Sequence, residues 1–248
     1  MDWTQGPADT WASTAAFLRG LPARLPAVPK ALLVISSHWE SSTPQVTAAS
    51  APALIYDYSG FPAHTYELTW PAPGAPGLAS RVQQLLTTAG IHAREDKRRG
   101  LDHGVFIPLK VAFPEASIPT VQLSLKAGLD PEEHLAMGRA LAPLRDEGVL
   151  ILGSGMSYHN MRAFMTPQAR QTSGLFADWL ADAVARPVPQ RDARLKGWAQ
   201  APGGRESHPR EEHLLPLMVA AGAASADPGR EIFRAEAMGA VISAIQFG

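Results

Sequence analysis

Residues 148–162 read GVLILGSGMSYHNMR, and this stretch decides the fold. Four apolar residues, Val149 to Leu152, run into Gly153-Ser154-Gly155. A short apolar run closed by glycines reads as a buried strand that ends in a tight turn. His159 follows soon after Gly155. In open α/β sheets, ligands collect beyond the carboxyl ends of strands, and His159 stands at such a place. A lone histidine after a lone strand also fits a loop residue bonded to a neighbouring backbone, so both readings stay open at this point.

The segments before it repeat the pattern. Pro131–Asp146 reads as a helix, with Pro131 in its first turn and Leu135, Leu141 and Leu144 facing inward. Ile118–Leu125 ahead of it is a strand candidate. Residues 118–153 are then a strand–helix–strand unit, which calls for a parallel pair in a covered sheet. Further back, Ala31–Ser36 is another apolar strand, and it runs into Ser37-His38-Trp39-Glu40. A second histidine thus sits just past a strand end. The expected class is α/β, with a central, mostly parallel or mixed sheet flanked by helices.

The rest of the chain is less regular. Asp9–Gly20 and Pro76–Ala89 read as helices, and the prolines between residues 22 and 30 impose an extended linker. Gln45–Ala49 is a short strand and Val105–Phe113 a helix. Residues 168–200 are helical with a break at Arg186–Pro189. Pro209 suits the start of a helix that closes at Ala220–Ala224. His213 would then lie one turn in, on a face with Leu217 and Ala220. Ala237–Phe247 is a closing strand.

Composition sets the bounds. The chain has 248 residues, 46% hydrophobic and 18% charged, with a formal net charge of -1. That is ordinary for a globular protein, and it gives no reason to expect a nucleic-acid or anionic-membrane partner. There is no cysteine, which excludes disulfides, thiolate metal sites and a cysteine nucleophile. No apolar run is long enough for a bilayer span and no signal peptide is evident, so a cytoplasmic protein is expected.

Without thiolates, imidazole is the obvious metal ligand. Of eight histidines, His38, His103, His159, His208 and His213 fall at strand ends, helix starts or turns. His64 lacks such a context, and His92 and His134 are expected to be ordinary surface residues. His38 and His159 could meet at one sheet rim, with His213 completing a site. No HExxH pair, Gly-x-Ser-x-Gly elbow, Gly-x-Gly-x-x-Gly or P-loop is present. Residues 56–74 concentrate Tyr56, Tyr58, Phe61, Tyr66 and Trp70. Such a loop either walls a pocket for a flat ligand or packs its own aromatics on the core. Arg98, Arg99 and Arg162 are candidates for a substrate carboxylate, or plain surface charges.

Taken together, SSHWE, YDYSGFPAHTYELTWPAPG, GLDHGVFIPLK, IPTVQLSL, GVLILGSGMSYHNMR and HPREEHLLPLMVAAGA resemble successive blocks of the class III extradiol ring-cleavage dioxygenases, nearest to the DOPA-dioxygenase-type branch. The likeness runs from about residue 30 to the C-terminus. It implies one α/β catalytic domain over residues 1–248 and a non-haem Fe(II) site, with zinc possible in the isolated protein. It implies that His38 and His213 are metal ligands, and that His159 is a further ligand or the catalytic acid/base. His103 would contact substrate or oxygen, and His208, Tyr56, Phe61 and Tyr66 would line the substrate pocket. The implied partners are a small aromatic diol and O₂.

Members of this family usually begin with an apolar strand leading into a His-Gly motif whose histidine is a ligand. No such strand or histidine precedes His38 here. Gln5-Gly6 is a poor substitute, because an amide oxygen is a weaker ligand than imidazole. An exposed sheet edge and self-association are expected in its place. The rival readings are a zinc-dependent hydrolase, which would need no O₂, and a catalytically inactive metal-binding relative.

Overall fold

A computed structural model describes residues 6–248 of the chain. The elements, in order, are α1 (Ala12–Gly20), β1 (Ala31–Ser41), β2 (Gln45–Thr47), β3 (Leu54–Ile55), α2 (Pro76–Thr88), β4 (Arg94–Asp96) and β5 (Leu101–Asp102). There follow α3 (His103–Ala112), β6 (Thr120–Lys126), α4 (Pro131–Leu141), α5 (Pro143–Asp146), β7 (Val149–Ser154), α6 (Pro167–Val184) and α7 (Val188–Lys196). The chain closes with α8 (Gly204–Ser207), α9 (Leu215–Ala223), β8 (Gly229–Ala237) and β9 (Ala240–Phe247).

The main sheet has the order β4-β2-β6-β1-β7. β1 lies between β6 and β7 and is parallel to both. β2 is antiparallel to β6 and parallel to β4, so the sheet is mixed. The strand–helix–strand unit read at 118–153 is present, but β1 separates its two strands. β1 is apolar in succession because both its faces are covered. Leu33 and Ile35 join a core with Val82 and Leu86 of α2, Leu135 of α4 and Val219 of α9. Leu32 and Val34 join the opposite core with Val105, Phe106 and Leu109 of α3 and with Trp70. β7 is the sheet's edge, and no strand precedes β1 among the described residues. Gln5 lies outside the described residues. No helix of the described residues is long and apolar enough to cross a membrane.

Three expectations need correction. The helix expected from Pro209 starts at Leu215, with Pro216 in its first turn. A helix running on from 209 would place Pro216 in its interior, where it lacks an N–H and collides with the carbonyl of residue 212. His213 therefore sits in the turn before α9. His134 is fully buried rather than at the surface. Its Nδ1–H donates to the Asp130 carbonyl (2.7 Å), and its Nε2 accepts from the Lys126 N–H (3.1 Å), tying α4 to the end of β6. The closing strand is one arm of a hairpin, β9, paired antiparallel with β8, for which the sequence predicts no strand.

Candidate active site

The carboxyl ends of β1 and β7 meet at one rim, where Ser36 pairs with Ser154. β1 carries an irregularity between Ile35 and Glu40, within its pairing to β6. Such a bulge re-aims a side chain, and His38 lies inside it. His159 lies beyond β7, in a turn held by its own N–H on the Ser207 carbonyl (2.9 Å) and by Asn160 Nδ2 on the Glu206 carbonyl (2.8 Å). His103 is the first residue of α3. His213 is anchored through its carbonyl, which accepts from the Met156 N–H (3.1 Å).

These four histidines form a row. Ring centroids are 4.0 Å apart for His103 and His38, 5.0 Å for His38 and His213, and 3.2 Å for His213 and His159. A carboxylate stands at each end. Asp57 Oδ1 is 2.8 Å from His103 Nδ1. Glu212 Oε1 is 3.0 Å from His213 Nδ1 and 3.6 Å from His159 Nδ1. His38, Asp57 and His103 thus form one compact set of potential ligand atoms, and His159, Glu212 and His213 form another.

Burial favours the neutral form of two rings in the row, His38 and His159. Burial, reinforced by the neighbouring His103 and His213, pushes His38 down to about 4. Burial, with His213 beside it, likewise pushes His159 down to about 4. Glu212 falls to about 2, chiefly through its hydrogen bond with His213. Burial alone would raise the Asp57 carboxyl, but hydrogen bonds from the backbone and ring of His103 outweigh it and hold it below the usual carboxylate range. An ionised carboxylate only accepts hydrogen bonds. The ring nitrogen facing each carboxylate, Nδ1 of His103 and Nδ1 of His213, is therefore the one that carries a proton, and Nε2 is the nitrogen turned away from it.

Neutral imidazoles and carboxylates without thiolates suit non-haem Fe(II), and equally zinc. The donor set therefore fits the metal implied by the sequence. The ring nitrogens of His38 take no hydrogen bond among the described residues, so its lone pair is available to a cation. The two carboxylates sit on the Nδ1 side, where outer partners of metal-bound histidines are found.

Beneath the rim, the fully buried Asp102 accepts hydrogen bonds from Ser36 Oγ (2.7 Å), Arg99 Nη2 (3.2 Å) and Gln122 Nε2. Ser36 Oγ in turn accepts from the His38 N–H (3.2 Å). Arg99 is engaged there and lies over the Trp39 ring at 4.5 Å, whereas Arg98 and Arg162 are exposed. Tyr58 stands edge-on to His103 at 5.5 Å and contacts Tyr56, Phe61 and Tyr66. The aromatic loop therefore reaches the histidine row. His208 does not reach the open face. It is fully buried, its Nε2 faces the Ser157 carbonyl (3.0 Å), and its ring packs against Phe176 and Trp198.

Two acidic members, Asp57 and Glu212, escaped the sequence reading. A carboxylate has no periodic signature. The one cue was Glu212's place inside HPREEH beside His213.

A parallel-strand rim with four histidines, two carboxylates and an aromatic wall is the kind of site a metal-dependent enzyme of small aromatic molecules requires. Residues 5–246 match the family described as the catalytic LigB subunit of aromatic ring-opening dioxygenase, and the chain belongs to that family. It is 41% identical over 220 residues to the Beta vulgaris protein named 4,5-DOPA dioxygenase extradiol, covering 87% of this chain and 81% of that one. It is 38% identical over 201 residues to the Escherichia coli K12 protein of the same name, covering 79% and 73%. The crystal structure of an uncharacterised protein from Escherichia coli K12 superposes with a TM-score of 0.79 at 30% identity, over 99% of this chain and 95% of that one.

Proposed function

We propose that the chain opens the ring of a catechol-type diol with O₂ at a non-haem Fe(II) held by His38 and His213. The observation that carries this is the row of imidazoles at the sheet rim, with a carboxylate at each end. Fe(II) held there would supply a redox-active Lewis acid with positions open to substrate.

The chain's own residues do the rest. His38, neutral at working pH, offers a lone pair, and the Glu212–His213 hydrogen bond leaves Nε2 of His213 for the cation. His159, stacked on His213, serves either as the third nitrogen donor or as a proton carrier, and the metal content of His159→Gln separates the two. His103, with Nδ1 on Asp57, uses Nε2 to take a hydroxyl proton from the diol and return it later. Tyr56, Phe61 and Tyr66 wall the ring and exclude water. The substrate is a compact catechol, and DOPA, which the relatives' names carry, is the first to try. The enzyme would work in the cytoplasm.

The test is oxygen uptake by Fe(II)-loaded protein against a panel of catechols, while watching for a yellow ring-opened product. Uptake with product supports the reading. Silence from iron-loaded protein that binds zinc tightly would overturn it in favour of a zinc hydrolase or a metal-binding relative.

A further inference from the structure

Asp57 has no part in the metal site or substrate wall proposed above, yet a single carboxylate oxygen of it engages His103 twice. Its Oδ1 accepts from the backbone N–H of His103 (3.0 Å) and also faces His103 Nδ1 (2.8 Å). His103 opens α3, and the adjoining cap residue Asp102 makes no side-chain cap bond. The reason is visible: the Asp102 carboxylate is turned inward and taken by Ser36, Arg99 and Gln122. Capping of α3 therefore falls to a carboxylate from a distant loop, where negative charge is favoured by the helix dipole.

The same residue sits between Tyr56 and Tyr58. The hydroxyls of both tyrosines are spent inside the loop, on the carbonyls of Leu68 and Thr65. Short pairing of β3 with β5 and the Trp70 Nε1 bond to Phe113 hold the loop at its two ends. Between them, Asp57 is the one hydrogen-bond partner of the His103 ring among the described residues.

We propose that Asp57 is a positioning residue for ring opening. It holds His103 in the Nδ1–H tautomer, so that Nε2 presents a lone pair at the rim, and the same contact fixes the aromatic loop against that ring. This rests on the proposed role of His103 in proton transfer. The chemistry is that of a carboxylate that orients a histidine without itself touching the substrate.

The experiment has two arms. In the first, zinc-loaded protein labelled with ¹⁵N-histidine gives a long-range ¹H–¹⁵N spectrum, with His103 assigned by His103→Gln. His103 should be protonated at Nδ1 in the wild type and shift toward the Nε2–H form in Asp57→Ala. In the second, iron-loaded Asp57→Ala should lose about 10–100-fold in kcat with KM little changed, and should cost nothing further in a His103→Gln background. Asp57→Asn, which keeps one acceptor oxygen, should fall between wild type and Asp57→Ala in both arms and guards against a collapse of α3. An unchanged His103 tautomer in Asp57→Ala overturns the proposal. So does a rise in KM alone, which marks a wall residue, or a full additive loss in the His103→Gln background. If the wild type opens no catechol, the functional reading fails, while the spectrum still decides whether Asp57 sets the tautomer.

Discussion

The imidazoles of His159 and His213 lie face to face, with ring centroids 3.2 Å apart and planes 15° from parallel. Two cationic rings could not hold that arrangement. Glu212 makes it tenable, since its Oε1 is within reach of Nδ1 on both rings. Arg210 in turn bridges Glu212 and Glu40, which ties the turn bearing His213 to β1. Glu212→Gln keeps the size but loses the charge and the acceptor-only character. Fe(II) affinity, titrated anaerobically by calorimetry, should fall about 10–100-fold, the usual effect of removing an outer partner. An unchanged affinity would mean that packing alone orients the pair.

His38 and His103 are neighbours to which the proposed function gives different jobs, and metal analysis separates them. His38→Ala should lose both bound iron and oxygen uptake. His103→Gln should keep its iron and lose about 10²–10⁴-fold in kcat, the range for an acid–base group. Loss of metal from His103→Gln would make it a ligand and remove its proton role.

Acid sensitivity follows from histidines outside the site. Burial drives His208 down to about 3 and lowers His134. In the unfolded chain each takes up a proton near pH 6.5, while the folded chain keeps them neutral. Their contribution to stability is complete above about pH 6.5 and is lost as pH falls toward the depressed folded values. Metal-free protein should therefore lose stability below about pH 6.5, at up to about 1.4 kcal/mol per pH unit for each such group. Denaturant melts across that range should be less steep in pH for His208→Gln, and an identical slope would sink the assignment.

The sheet was legible because β1, buried on both faces, reads as an almost unbroken apolar run, and β6 and β7 are also rich in branched apolar residues. Ala31–Ser36, Ile118–Leu125 and Val149–Leu152 gave β1, β6 and β7, and with them the rim that holds His38 and His159. The two-residue strands β3 and β5 are too short to carry a pattern. Pro209 makes a good first helical residue and so predicts His213 on a helix, while the veto comes from Pro216 further along. His134 looked like a surface residue because its partners, Lys126 N–H and the Asp130 carbonyl, are backbone groups with no trace in residue identity. Asp57 and His103 are brought together only by the fold.

Gly153-Ser154-Gly155 is a joint rather than a phosphate loop. A Cβ on Gly155 would lie 2.1 Å from the His213 carbonyl oxygen, and one on Gly153 would lie 2.6 Å from that of Pro216. Alternate residues of a strand share a face, so both glycines let the approach to α9 run against the end of β7. Ser154 points the other way, and its Oγ donates to the Gly104 carbonyl. That carbonyl would normally pair with the N–H of residue 108, but Pro108 sits there inside α3 and has none. The triplet therefore positions His213 from one face and His103 from the other, which predicts a division of effects. Gly155→Ala must push back the backbone of His213 and should weaken Fe(II) binding. Ser154→Ala leaves a carbonyl without its partner, should cost about 1–3 kcal/mol in stability, and should lower kcat through His103 with bound iron intact. Metal titration, melting and turnover on the two variants read this directly, and equal loss of iron from both would show that the two faces are not separate.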